Sequence, residues 1–391
     1  CMNKAISMFV IGKQPLEKGM NILGAHIDSP RVDIKSNPCY EADGMAYLDT
    51  HYYGGVKKYQ WVALPLAMHG VVCKKDGTTI TVAIGEKPED PVFVFTDLLI
   101  HISQKQMEAR ASEVIPAEKL DLLIGNMPLA KADLKEDEKN AVLANVLRIL
   151  KSEYNIEEED FLSAELELVP AEKARDLGFD RSMILAYGHD DRICAYTSYK
   201  ALLQIEDPEK TCVCLLVDKE EVGSVGATGM QAYYFENAVA EIIANMEGES
   251  MLKLRHCLAN SFMLSSDVSS GYDQLYGDAF EKKNTAFLSC GMSFNKFTGR
   301  GGKSGSNDAN PEYIAKLRRI FDEADVSYQF CEIGKVDLGG GGTIAYIMAK
   351  YGMNVIDSGM PVMSMHAPYE VASKADVWEG YKGYIAFLKN A

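Results

Sequence analysis

Six short apolar runs punctuate the chain, and each breaks off into carboxylates or histidine. They are MNILGAHID (20–28), RSMILAYGHDD (181–191), TCVCLLVDKEE (211–221), NSFMLSSD (260–267), NVIDSG (354–359) and PVMSMH (361–366). Each is the length of a buried strand. Between them lie stretches with helical spacing. ICAYTSYKALLQI follows Asp191, and TIAYIMAKY places Ile344, Ile347, Met348 and Tyr351 on one face, with Gly352 where a C′ glycine ends a helix. This alternation predicts an α/β fold, a mixed and mostly parallel sheet flanked by helices. Ligands of open α/β sheets gather at the carboxyl ends of the strands. Four of the six runs end directly in carboxylates and two in histidine or His-x-Asp, so the ligand-bearing residues fall where such sheets bind.

Residues 36–180 have a different texture. GVVCKKDGTTITVAIGE reads as a hairpin around an Asp-Gly turn, and a charged stretch, LKEDEKNAVLANVLRILKSEYNIEEED, precedes the strand-like ELELV. The expected organisation is a discontinuous α/β domain, 1–35 and 181–391, interrupted by a β-rich insertion at 36–180. The length of 391 residues allows such a pair of cores.

Forty basic residues against 56 acidic ones give a formal charge of −16, which repels phosphate backbones and excludes nucleic acid as the expected partner. No apolar run approaches the roughly 18 residues of a membrane span. Nine scattered cysteines include no C-x-x-C pair, and Cys212 and Cys214 alternate as buried strand residues do. This reads as a reduced, cytoplasmic interior. No signal peptide is visible, although the chain opens abruptly at Cys1.

The strongest chemical signal is Asp218-Lys219-Glu220-Glu221 at the end of CVCLLV. Adjacent glutamates point in different directions, so one can hold a metal while the other acts on its water; a solvated strand end is the plainer alternative. In His26-Ile27-Asp28, residues two apart share a face, so Asp28 can accept the second imidazole N–H if His26 binds a metal. Asp190-Asp191 stands at a strand-to-helix junction, where paired aspartates also serve as helix caps. Asp267 and His366 complete the set, and His189 is a neighbour without a role. Such a mixed N/O set suits two divalent ions, Zn²⁺ first, with Co²⁺ or Mn²⁺ as substitutes, and the hydrolysis of an amide.

GAHIDSPR, GHDDR, DKEEVGS, SSD, GGGGT and SMHAPYE, in this order, resemble the aspartyl aminopeptidase and aminopeptidase I family of dinuclear zinc peptidases, from about Phe9 to the C-terminus. The resemblance implies a phosphorylase/hydrolase-like zinc-peptidase core. It implies His26, Asp190, Glu221, Asp267 and His366 as ligands, with Asp190 bridging, His26 and Asp267 on one metal, and Glu221 and His366 on the other. Glu220 becomes the general acid/base, and Asp28 the residue that orients His26. His101 matches a histidine that reaches a neighbouring subunit's active site, whereas its apolar run alone reads as core. The resemblance further implies peptide substrates with a free N-terminus and dodecamers built from dimers. The stretch SSGYDQLYGDAF departs from acid-preferring relatives, which leaves the preferred N-terminal residue open between acidic and broader.

Three rivals are weighed. GRGGKSGSND fails as a phosphate loop because Phe297 stands where the first glycine belongs. GGGTIA imitates a dinucleotide fingerprint, but the preceding EIGKVDL is a poor first strand. A related deacylase or carboxypeptidase and a non-catalytic metal-stabilised scaffold remain the functional alternatives.

Overall fold

The computed structural model describes residues 1–134, 138–301, 303 and 305–391. Residues 135–137 of the charged stretch, and Gly302 and Ser304 of GRGGKSGSND, lie outside the described residues. Contacts divide the chain into two units. The first comprises Cys1–Ser29, Ala174–Met365 and Glu370–Ala391, and the second Pro30–Lys173 with His366–Tyr369.

The first unit is built on a seven-stranded sheet in the order Ile6–Val10, Thr211–Val217, Met20–His26, Phe262–Ser265, Asn354–Gly359, Met292–Asn295, Tyr328–Phe330. Four of its six pairings are parallel and the other two antiparallel. The period of two decides the layers. Val213, Leu215 and Val217 face one side with Ile22, Met263 and Val355, against Phe235, Val239 and Leu258 from the helices Tyr234–Glu247 and Met251–Ala259. Cys212 and Cys214 face the other side with Leu23, Leu264 and Ile356. There they meet Leu317 and Phe321 of the helix Pro311–Glu323, and Tyr384 and Phe387 of Lys374–Asn390. Helices thus cover both faces, as near-continuous apolar strands require.

Two of the six apolar runs belong elsewhere. Met183–Ala186 and Pro361–Met363 lie in a separate five-stranded sheet with Ser269–Ser270, Glu370–Ser373 and Arg175–Leu177. The helix expected to reach Tyr351 is Ala345–Ala349. Its last turn tightens into i→i+3 bonds at Lys350, Tyr351 and Gly352, and Gly352 then takes φ +86°.

The second unit contains a six-stranded antiparallel sheet in the order Thr79–Ile84, Leu66–Cys73, Ala164–Pro170, Arg31–Ala42, Met45–Tyr53, Leu122–Gly125. The Asp76-Gly77 turn joins Leu66–Cys73 to Thr79–Ile84 in the expected hairpin. No helix among the described residues is long and apolar enough to cross a membrane.

Register places the polar strand tips side by side. His26 pairs with Val217, Gly24 with Ser265, and Ser265 with Asp357, so the parallel strands deliver His26, the 218–221 turn and Asp267 to one edge. Gly359 makes room for this edge: a Cβ there would overlap the Asp267 carbonyl and lie 2.9 Å from the Cys194 sulfur. Gly359→Ala is therefore expected to cost about 1–3 kcal/mol by overpacking, read as a lowered melting temperature. Gly341→Ala, whose Cβ meets nothing within 4 Å, is expected to leave the melting temperature close to that of the parent.

Candidate metal centre

His26 is the last residue of a fully buried strand and is itself 2% exposed. Its Nδ1 lies 2.9 Å from the Asp28 carbonyl oxygen. With that nitrogen donating, Nε2 carries the lone pair and points at Asp190 Oδ1, 3.0 Å away, and Asp267 Oδ1, 3.9 Å away. Burial works against a charged imidazole, but hydrogen bonds to Asp190 and Asp28 and the charge of Asp191 outweigh it, and the His26 pKa stands well above its ordinary value. The surroundings thus demand positive charge at Nε2, which a proton or a divalent cation supplies.

Asp28 faces the His26 ring with its side chain as well as its backbone. The backbone carbonyl makes the closer contact to His26, with Oδ1 at 3.4 Å. The carboxylate also accepts the N–H groups of Glu220 and Glu221, each at 3.1 Å, and so fixes the turn that carries both glutamates. That turn begins with Lys219 at φ +68° and ends with Gly223 at φ +93°. Glu220 and Glu221 are half-buried, so the plain solvated strand end is not what forms. His26, Glu220 and Glu221 each place one ligand atom within 4.8 Å of the others. Proximity to His26 makes Glu220 a ligand candidate beside Glu221.

The aspartate pair enters from the strand Met183–Ala186 through Gly188, at φ +74°, into the helix His189–Leu202. The Asp190–Asp191 peptide is cis, and neither residue has helical angles or caps the helix with its side chain. The capping alternative therefore falls. Asp190 is held by its backbone: its N–H donates to Glu370 Oε2 at 3.0 Å, and its carbonyl accepts from the Ser29 hydroxyl at 2.7 Å. Asp191, fully buried, accepts the His26 backbone N–H at 3.3 Å, while its Oδ1 is buried with no hydrogen-bond partner. His26, Asp191 and Asp267 form a second group with ligand atoms within 4.8 Å. Burial, and then the neighbouring carboxylates, push the Asp267 carboxyl well above the usual range; burial and Asp190 do the same to Asp191.

Three further histidines of the sequence analysis remain: His366, His101 and His189. His366 belongs to the second unit's segment His366–Tyr369, with φ +66°. Its Nδ1 lies 3.0 Å from the Gly55 carbonyl, which again leaves Nε2 with the lone pair. His101 sits exposed in the turn Ile100–Ile102, between isoleucines that are 67% and 66% exposed, so the core alternative for its apolar run is overturned. His189 turns to the Ile184 carbonyl at 3.2 Å, and burial lowers its pKa.

Sequence reasoning missed the supporting layer. Glu370 closes the SMHAPYE motif unassigned, and Asp357 stands in the run NVIDSG without an assigned role. Asp357 is 2% exposed, accepts the Ser265 hydroxyl at 2.8 Å, and is pushed up to about 7 by burial, with the Glu220 charge adding to it. Its strand-end position was the available signal.

One imidazole among buried or half-buried carboxylates fits a divalent cation. The donors are those of Zn²⁺, and a buried carboxylate oxygen without a partner marks a charge that the protein alone leaves uncompensated.

Three comparisons bear on this centre. The family profile described as aminopeptidase I zinc metalloprotease (M18) matches residues 1–388. A "Probable M18 family aminopeptidase 1" of Clostridium acetobutylicum is 58% identical over 99% of this chain and 82% of its own length. Among solved structures, aminopeptidase I from Clostridium acetobutylicum superposes with a TM-score of 0.94 at 56% identity, covering 100% of this chain and 83% of that one. An M18 aminopeptidase from Thermotoga maritima gives 0.93 at 42% identity, covering 99% and 87%. These likenesses span both units, and the motifs that prompted the expectation fall within them. The chain belongs to the M18 family of zinc metallo-aminopeptidases.

Proposed function

We propose that the chain removes single N-terminal residues from peptides using two Zn²⁺ ions per subunit, for which Co²⁺ or Mn²⁺ can substitute. In this reading His26 and Asp267 hold one ion, Glu221 and His366 the other, and Asp190 bridges. The observation that carries it is the His26 ring, anchored at Nδ1 by the Asp28 carbonyl and facing Asp190 and Asp267 with Nε2. Asp190 is preferred to Asp191 as the bridge because its Oδ1 lies 3.0 Å from that nitrogen, while Asp191 is engaged by the His26 backbone.

Bound, the metals act as Lewis acids on the scissile carbonyl and lower the pKa of water at the site. Glu220 takes the proton of the attacking water and hands it to the leaving amine. Asp28 keeps Glu220 and Glu221 at a fixed separation by holding both of their N–H groups. The buried setting of His26, Asp190 and Asp191 strengthens each of these electrostatic contacts.

The β-rich second unit, drawn in the sequence as an insertion at 36–180, is proposed to shape the substrate entrance and to dimerise. His101 would be offered to a neighbouring subunit's site within a dodecamer built from dimers. The exposed apolar run Leu98, Leu99, Ile100 and Ile102 supports a self-association surface there. Nine free cysteines support a cytoplasmic setting.

Glu220→Gln is expected to lower kcat on an aminoacyl-anilide by about 10²–10⁴-fold while metal content stays that of the parent. A scaffold would lose nothing, and loss of metal instead would make Glu220 a ligand. N-acetylation of a peptide substrate is expected to abolish its cleavage; continued hydrolysis would favour the deacylase alternative. Chelation followed by zinc should restore activity with two ions per chain by elemental analysis, and His366→Ala should bind one.

A further inference from the structure

Just past the carboxyl end of the second unit's helix Ala141–Tyr154, Lys74 Nζ donates to the Asn155 carbonyl at 2.9 Å, so both ends of the helix are held. Its amino end is tied down where Glu41 accepts the N–H groups of Val142 and Leu143 at 2.9 and 3.0 Å, and where those side chains pack on Ala46. Gly125 permits this approach, since a Cβ there would lie 2.7 Å from a Val146 methyl. Toward the carboxyl end the helix and sheet diverge around a cleft of about 410 Å³. Met68, Val82, Ile84 and Leu166 form a buried floor, and Ile149 and Leu150 a half-buried roof. Ligand cavities run from about 300 to 1,000 Å³, and an apolar cleft of this size offers water few partners.

The mouth is acidic. Glu153 and Tyr154 line it, and the charges of Glu153 and Asp90 both bear on the Tyr154 phenol. Lys87 is the basic neighbour of Asp90, whose carboxylate accepts the Lys87 and Gly85 N–H groups. We propose that this cleft binds a small molecule with an apolar body and a cationic head, the body between helix and sheet and the head at Glu153.

The test uses the whole zinc-loaded protein and the neutral fluorophore N-phenyl-1-naphthylamine. Its fluorescence is expected to rise to saturation at one probe per chain, and Leu150→Trp, which fills the cleft, should remove that rise while aminopeptidase activity persists. Decylammonium should displace the probe at about tenfold lower concentration than decanoate, the scale of one charged contact, and Glu153→Gln should erase the difference. Ile84→Trp fills the cleft from the sheet side and serves if the helix variant does not fold. Absence of saturable binding, or binding that survives a folded filling variant, overturns the site. Equal displacement by decanoate overturns the cationic head.

Discussion

The first unit is organised around a concentration of negative charge at one edge of its sheet. Asp28, Asp190, Asp191, Asp267, Glu220 and Glu221 gather around the His26 imidazole at the edge of a parallel sheet. Buried carboxylates of like charge are costly neighbours, and the pKa values of Asp191 and Asp267 move up accordingly. A cation relieves the repulsion, so metal binding and the stability of this edge are one free energy.

That arrangement rests on register. The strands Met20–His26, Thr211–Val217, Phe262–Ser265 and Asn354–Gly359 are adjacent and parallel, so their carboxyl ends coincide. A slip of one residue in any of them would turn its apolar set to the wrong helix layer as well as move the polar residues at its end. The two cores on either face therefore hold the metal site in place although they contribute no ligand to it.

Much of this was legible because burial and chemistry share a period. Cys212, Val213, Cys214 and Leu215 reveal a two-sided strand by their uninterrupted apolar character, and the polar break after Val217 marks its useful end. What stayed hidden was tertiary. Nothing in RSMILAYGHDD or PVMSMH separates them from the main sheet's strands, because sheet membership depends on partners far along the chain. The Ile100–Ile102 turn is apolar and exposed, which a rule that equates apolar with buried misreads. Asp28 was recognised as a partner of His26 but not as a clamp, since the spacing of one strand end says nothing about the backbone amides of another. Asp190 and Asp191 differ in direction, the first pointing Oδ1 at His26 Nε2 and the second accepting the His26 backbone N–H, and sequence does not carry direction.

The double acceptance by Asp28 has a further consequence. One carboxylate ties the tip of the first sheet strand to the two amides after Lys219, so histidine and glutamates form a single mechanical body. Energetic effects of changes at positions 28, 220 and 221 should then be strongly non-additive. The spacing of His26 and the two glutamates is inherited from the stiffness of a sheet, and thermal wandering of a loop has little purchase on it.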